Sequence, residues 1–122
     1  MAKFDQEVEI LDSSALDRLR EMVGGDEAFL IELIQTFLED APQDLTRMRQ
    51  ALESQDAALL RRAAHSLKSN SAEFGASALH QMCKQMEKMG KQGIFDGAAE
   101  RVSEIESEYE RVKKALRAVS QV

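Results

Sequence analysis

Apolar residues recur at steps of three and four along most of the chain, the period of one face of a helix. The short run Leu16 and Leu19 opens the pattern. A longer run follows through Leu30, Ile34, Phe37, Leu38, Ala41, Leu45 and Met48. Ala57, Leu60, Ala64, Leu67 and Ser71 form a third stripe, and Leu79, Met82, Cys83, Met86 and Met89 a fourth. The last is Ala98, Val102, Ile105, Tyr109, Val112, Leu116 and Val119, separated almost entirely by polar residues.

Capping and breaking residues divide these stripes into elements. Asp12 or Ser13 caps the first helix, and Gly24-Gly25 stops it. Asp26 caps the second. Pro42 lies within it and removes the hydrogen bond to the Leu38 carbonyl, so a bent helix is expected, with a break at Ala41 as the alternative. A turn near Ser54 follows, with Ser54 as a cap for the third helix. That helix should end between Ser71 and Gly75, with Phe74 in the core. The fourth is expected from about Ala76 to Met89, ended by Gly90 and Gly93, and the fifth from near Gly97.

Four helices with one apolar face each must bury those faces together. The expected fold is all-α: an antiparallel four-helix bundle, with the short N-terminal helix as a lid at one end. The same periodicity permits a helical hairpin completed by a partner. Residues 1–11 read as a loose lead-in to one domain spanning residues 1–122.

Composition narrows the function. At 122 residues, the chain has room for one core and little else. Its formal net charge of −6 argues against nucleic acid as a partner. No apolar run is long enough to span a membrane, and the acidic start at Met1 to Ile10 lacks the features of a signal peptide. A cytoplasmic location is expected, and Met1 favours a free-standing protein over a piece of a larger kinase. A single cysteine excludes an internal disulfide. No glycine-rich phosphate loop is present, so the chain is not expected to be an enzyme that uses ATP by itself.

Charge is unevenly spread. Residues 1–55 carry five basic and thirteen acidic side chains, whereas residues 56–91 carry six basic and three acidic. A locally basic surface on an acidic protein suits a negatively charged partner site.

That basic segment holds His65. With Leu60 at zero on a helical wheel, Leu60, Ala64, Leu67 and Ser71 cluster at roughly 0°, 40°, 340° and 20°, while His65 falls at about 140°. Its ring therefore points to solvent. Arg61, Arg62 and Lys68 lie within one turn, and Ser69 stands in line with it. A near-neutral imidazole can attack a phosphoryl group, with Lys68 as a flexible point charge for the oxygens. Ala64, Ser69 and Ala72 keep the surface low, so that a partner can approach. No carboxylate is placed in the His65 turn as a base, so any metal and the in-line geometry would come from the partner. The plainer reading is an ordinary surface histidine. His80 reads as a surface residue and Cys83 as a small core residue. His65 and His80 stand on different helices and no metal-ligand spacing exists, so no metal or cofactor is expected.

The stretch Ala64-His65-Ser66-Leu67-Lys68-Ser69-Asn70-Ser71, followed by Phe74-Gly75-Ala76, Leu79, Cys83 and Met86-Glu87, resembles the histidine-containing phosphotransfer (HPt) domain. Upstream, Asp12 to Leu19, Gly24-Gly25-Asp26 and Phe37 to Pro42 extend the likeness over roughly residues 10–118. The resemblance implies a four-helix bundle with an additional short helix and a phosphorelay intermediate. His65 would accept a phosphoryl group from a receiver-domain aspartate, or from a sensor or hybrid histidine kinase, and pass it to a response-regulator aspartate. Lys68 matches the lysine that pairs with phosphate, and Gly75 the glycine of the central turn. Arg61, Arg62, Ser69 and Ala72 would contribute to docking. The chain departs from the family at Ser69, where glycine is usual, and at Asn70, where a small residue is common. These departures bear on partner choice and rate. The alternative is a helical module that docks on a receiver or kinase and modulates it without relaying phosphate.

Overall fold

Three aspartates begin the first three helices, each because a short carboxylate can accept an otherwise orphaned backbone N–H. In the structure, a computed structural model that describes residues 10–120 (Ser120 by its backbone alone), helix α1 spans Ser13–Met22. Asp12 caps it by accepting from the Ser14 backbone N–H at 3.0 Å and the Ser14 hydroxyl at 2.7 Å. Helix α2 spans Glu27–Ser54 with Asp26 accepting from Phe29 N, and α3 spans Ala57–Glu73 with Asp56 accepting from Leu59 N. Helices α4 and α5 span Ser77–Gln92 and Ala98–Ser120. There is no strand among the described residues.

Ser54 does not cap α3. It is the last residue of α2, and its hydroxyl turns back to the Gln50 carbonyl at 2.8 Å. The chain turns instead through Gln55, in the left-handed region at φ 54°, and Asp56 takes the cap. Gly90 does not end α4 either. The helix continues to Gln92, and Gly93 closes it at φ 70°. Gly90 is a buried interior position.

Pro42 leaves α2 unbroken, so the alternative break at Ala41 does not occur. Proline lacks the N–H that would bond the Leu38 carbonyl. The Tyr109 hydroxyl reaches that carbonyl from α5, at a long 3.4 Å. Burial pushes the Tyr109 phenol up to about 12, so it stays protonated and able to donate. Its ring also packs edge-on against Phe37 at 6.0 Å, and Phe37 meets Phe74 at 5.1 Å. Phe74 is a core residue, as its place beside the turn suggested.

The four long helices form an antiparallel bundle in which each packs against the next and α5 closes back onto α2. Leu30, Ile34, Met48, Leu60, Leu67, Leu79, Met86, Ile105 and Leu116 fill its axis. Met82 and Met89 lie half-buried at its edge, and Cys83 is fully buried, its thiol pushed up to about 12 by desolvation. Arg49 ties α2 to α5 with two bonds to Glu106, at 2.7 and 3.1 Å, and one to Ser103. The expected lead-in lies outside the described residues except for its end. There Leu11 is part of the core rather than loose chain. No helix among the described residues is long and apolar enough to cross a membrane.

Helix α1 lies against α2 and α3 at the end of the bundle where α3 turns into α4. The Asp12 N–H donates to the Gly75 carbonyl at 2.7 Å. Gly75 has φ +73°, and a Cβ there would stand 2.8 Å from the Asp12 carbonyl oxygen and 2.9 Å from the Ala15 Cβ. Both the backbone conformation and the space demand glycine. Gly75→Ala should therefore destabilise the fold by about 2 kcal/mol or more, read as a lowered urea midpoint at unchanged slope. A midpoint equal to that of the parent chain would show that α1 yields freely.

Candidate functional site on helices α3 and α4

Leu60, Ala63, Ala64, Leu67 and Ser71 all face inward on α3, so the opposite face is left for polar residues. His65 stands on it with 60% of its side chain exposed. The wheel expectation of a ring in solvent holds. Arg61, Arg62, Ser69 and Ala72 are exposed on the same helix. An open hollow of about 440 Å³ beside the ring is lined by Ala58, Arg61, Arg62, His65 and Glu87. Ser69 and Ala72 lie further along α3 and do not line it.

Glu87 is the residue that sequence reasoning missed. No carboxylate lies in the His65 turn, but α4 runs antiparallel beside α3 and supplies one from twenty-two residues away. Glu87 Oε2 is 2.8 Å from His65 Nδ1, and its Oε1 is 2.5 Å from Lys68 Nζ. One carboxylate thus spans the imidazole and the ammonium. The Lys68 hydrogen bond, and after it that of His65, holds the Glu87 carboxyl below its usual value of 4.5 against the opposing effect of burial. Glu87 is therefore ionised at neutral pH. An ionised carboxylate can only accept, so a neutral His65 ring must donate from Nδ1. That choice of tautomer leaves the lone pair on Nε2, the ring nitrogen turned away from Glu87. The one signal in the sequence was the closing Met86-Glu87 of the motif, to which spacing alone gave no role.

His80 is also not the plain surface residue expected. It is half-buried between α4 and α3, and its Nδ1 donates to the Lys68 backbone carbonyl at 3.1 Å. Among the described residues no three potential metal ligands gather.

Asp44 is a second carboxylate that the pattern did not mark. It is buried on α2, only 3% exposed. Its Oδ1 pairs with Arg47 at 3.3 Å, and its Oδ2 has no hydrogen-bond partner. Burial raises its carboxyl above the usual 3.8, against the pull of the Ser66 hydroxyl and the Arg47 guanidinium. A raised folded-state value means that the native state holds this proton more tightly than the unfolded chain. Stability is then lost as pH rises from 3.8 through the folded value. Asp44→Asn should stabilise the chain by about 1 kcal/mol at neutral pH, and the gain should vanish below the unfolded value. Denaturation curves at both pH values test this; equal gains at both would remove ionisation as the cause.

Among curated proteins, none matches the chain significantly. The crystal structure of histidine-containing phosphotransfer protein B (HptB) from Pseudomonas aeruginosa PAO1 superposes with a TM-score of 0.85 at 30% sequence identity, covering 92% of this chain and 95% of that one. The family model for the Hpt domain matches residues 32–115, a span that contains both helices of the site. The inward stripes, the α3–α4 turn at Gly75 and the outward histidine are thus arranged on an established scaffold, and the chain belongs to the Hpt domain family.

Proposed function

We propose that the chain is a phosphorelay intermediate that carries a phosphoryl group on His65 between receiver-domain aspartates, or from a hybrid histidine kinase to a response regulator. The observation that carries this reading is the single Glu87 carboxylate, which holds His65 by Nδ1 and Lys68 by Nζ beside an open hollow.

The chemistry follows from that arrangement. The Nε2 lone pair attacks the phosphorus of an aspartyl phosphate. A P–N bond forms, the P–O bond to the aspartate breaks, and the aspartate leaves as a carboxylate. No proton need leave the ring. Nδ1 keeps its hydrogen and the product ring is cationic, so the charge that develops lies against Glu87, where it is stabilised. Lys68, held on the same carboxylate as the ring, can turn from Glu87 toward the phosphoryl oxygens. Arg61 and Arg62 add positive charge along the approach of an acidic receiver surface, and exposed Ser69 and Ala72 present a low surface beyond the ring. The return transfer reverses each step. Residues for in-line alignment and any metal belong to the partner. In this reading the chain is a stoichiometric carrier and not an enzyme.

The test is to mix the chain with phosphorylated receiver domains and follow phosphate. The expected result is acid-labile, alkali-stable phosphate on this chain and its onward transfer to a second receiver. A chain that binds receivers yet never becomes phosphorylated would replace this reading with that of a non-relaying docking module.

A further inference from the structure

Gly90 sits within α4, where glycine is a poor choice for helix stability. Its absent side chain has a neighbour. A Cβ at Gly90 would stand 2.7 Å from the backbone nitrogen of Arg61, 2.9 Å from its Cα and 3.0 Å from its Cβ. Two of these are main-chain atoms of α3 and the third is fixed to them, so no flexible side chain can give way. Ordinary contact begins near 3.4 Å, and the two helices would have to part by several tenths of an ångström.

The position of this contact gives it consequence. Arg61 is one turn before His65 on α3, and Gly90 is one turn after Glu87 on α4. Because the helices are antiparallel, the Gly90–Arg61 contact is the rung next to the one formed by Glu87 with His65 and Lys68. On the far side of that rung, His80 donates to the Lys68 carbonyl. The carboxylate bridge is therefore bracketed along one seam. Its His65 bond is 2.8 Å long, and a separation of several tenths of an ångström carries such a bond to the edge of its range.

We propose that Gly90 is a positioning residue for the His65 site. Its missing Cβ sets the α3–α4 spacing at which one Glu87 carboxylate reaches both His65 and Lys68, and His80 holds that spacing from the other end. The effect on rate rests on the relay function proposed above; the effect on the ring does not.

The experiment reads the ring directly. Nitrogen-15 spectra of His65 are recorded at about pH 8, where imidazole is largely neutral, for the parent chain, Gly90→Ala, His80→Ala and His80→Gln, with Glu87→Ala as the reference for a lost bridge. The parent ring should report hydrogen on Nδ1. Gly90→Ala should move the spectrum toward that of Glu87→Ala while circular dichroism stays helical. The maximal rate of phosphoryl uptake should fall about tenfold, with the half-saturating receiver concentration unchanged. His80→Ala should shift the ring in the same direction, and His80→Gln, whose amide can still donate to the Lys68 carbonyl, should restore it. If Gly90→Ala does not fold, the His80 pair decides the matter. A parent-like His65 spectrum in folded Gly90→Ala or, where that variant does not fold, in His80→Ala overturns the proposal. A parent chain that takes up no phosphate but shows these ring shifts would overturn the relay function and leave the positioning role standing.

Discussion

His65→Gln should abolish phosphoryl uptake and leave the bundle intact. The ring is exposed, and it touches the rest of the fold through Glu87, which keeps Lys68 as a partner when the ring is gone. Surface substitutions of this kind change stability by about 0.5 kcal/mol or less. The chemistry has no substitute. His80 is the other histidine in the chain, and its ring is half-buried between α3 and α4 and does not line the hollow beside His65. An amide nitrogen carries no free lone pair for phosphorus. Two measurements on one sample settle the matter: phosphate on the chain after incubation with a phosphorylated receiver, and the urea midpoint. Phosphate retained at the parent level would place the acceptor elsewhere. Phosphate lost together with a collapsed midpoint would make the loss a folding effect.

The second large effect is at Glu87. Glu87→Ala removes the acceptor that selects the Nδ1–H tautomer, the partner of Lys68 and, in the proposed relay, the counter-charge for the cationic product ring. Transfer should slow by roughly 10²-fold, the scale of losing one positioned group that stabilises a developing charge. Glu87→Gln isolates the charge. Its amide oxygen still accepts from Nδ1, but it offers nothing to offset the positive ring, so an intermediate loss of about tenfold is expected. Lys68→Ala should also slow transfer without ending it, because the ammonium stabilises charge and forms no bond to phosphorus. Single-turnover rates with one receiver rank the three. Glu87→Ala at the parent rate would make the carboxylate a bystander. The contact also has a pH signature. The folded-state value of Glu87 is depressed, so the stability it contributes is present above 4.5 and is lost as pH falls through the folded value.

These residues show how unevenly the site could be read from the chain. His65 and Lys68 lie three apart on one helix, so a helical wheel places His65 on the outer face with Lys68 on the face beside it, and the recurrence of Leu60, Ala64 and Leu67 fixes which face is inward. Glu87 is a pairwise contact between helices. Its place depends on the register of α4 against α3, and no periodicity within either helix encodes that register. His80 escaped for the same reason. Asp44 escaped for another: it lies on an inward face among apolar residues, where composition suggests solvent and only the packing shows burial. Ser54 and Gly90 were misplaced on the same kind of signal. Each residue type stops or starts helices as a local habit; at Ser54 a neighbouring left-handed Gln55 and the Asp56 cap displaced it, and at Gly90 the close approach of Arg61 across the bundle marks an interior packing position.

The sequence by itself determined the number of helices, their order, their inward stripes and the outward direction of His65. All of these follow from a 3.6-residue period and from caps that act within a few residues. Only the tertiary structure decided what stands opposite the histidine. The distance between α3 and α4, and the alignment of one along the other, arise from side chains meeting across the bundle, and such contacts carry no local signature. Glu87 acquires its meaning from that distance, and Gly90 from being too small to disturb it.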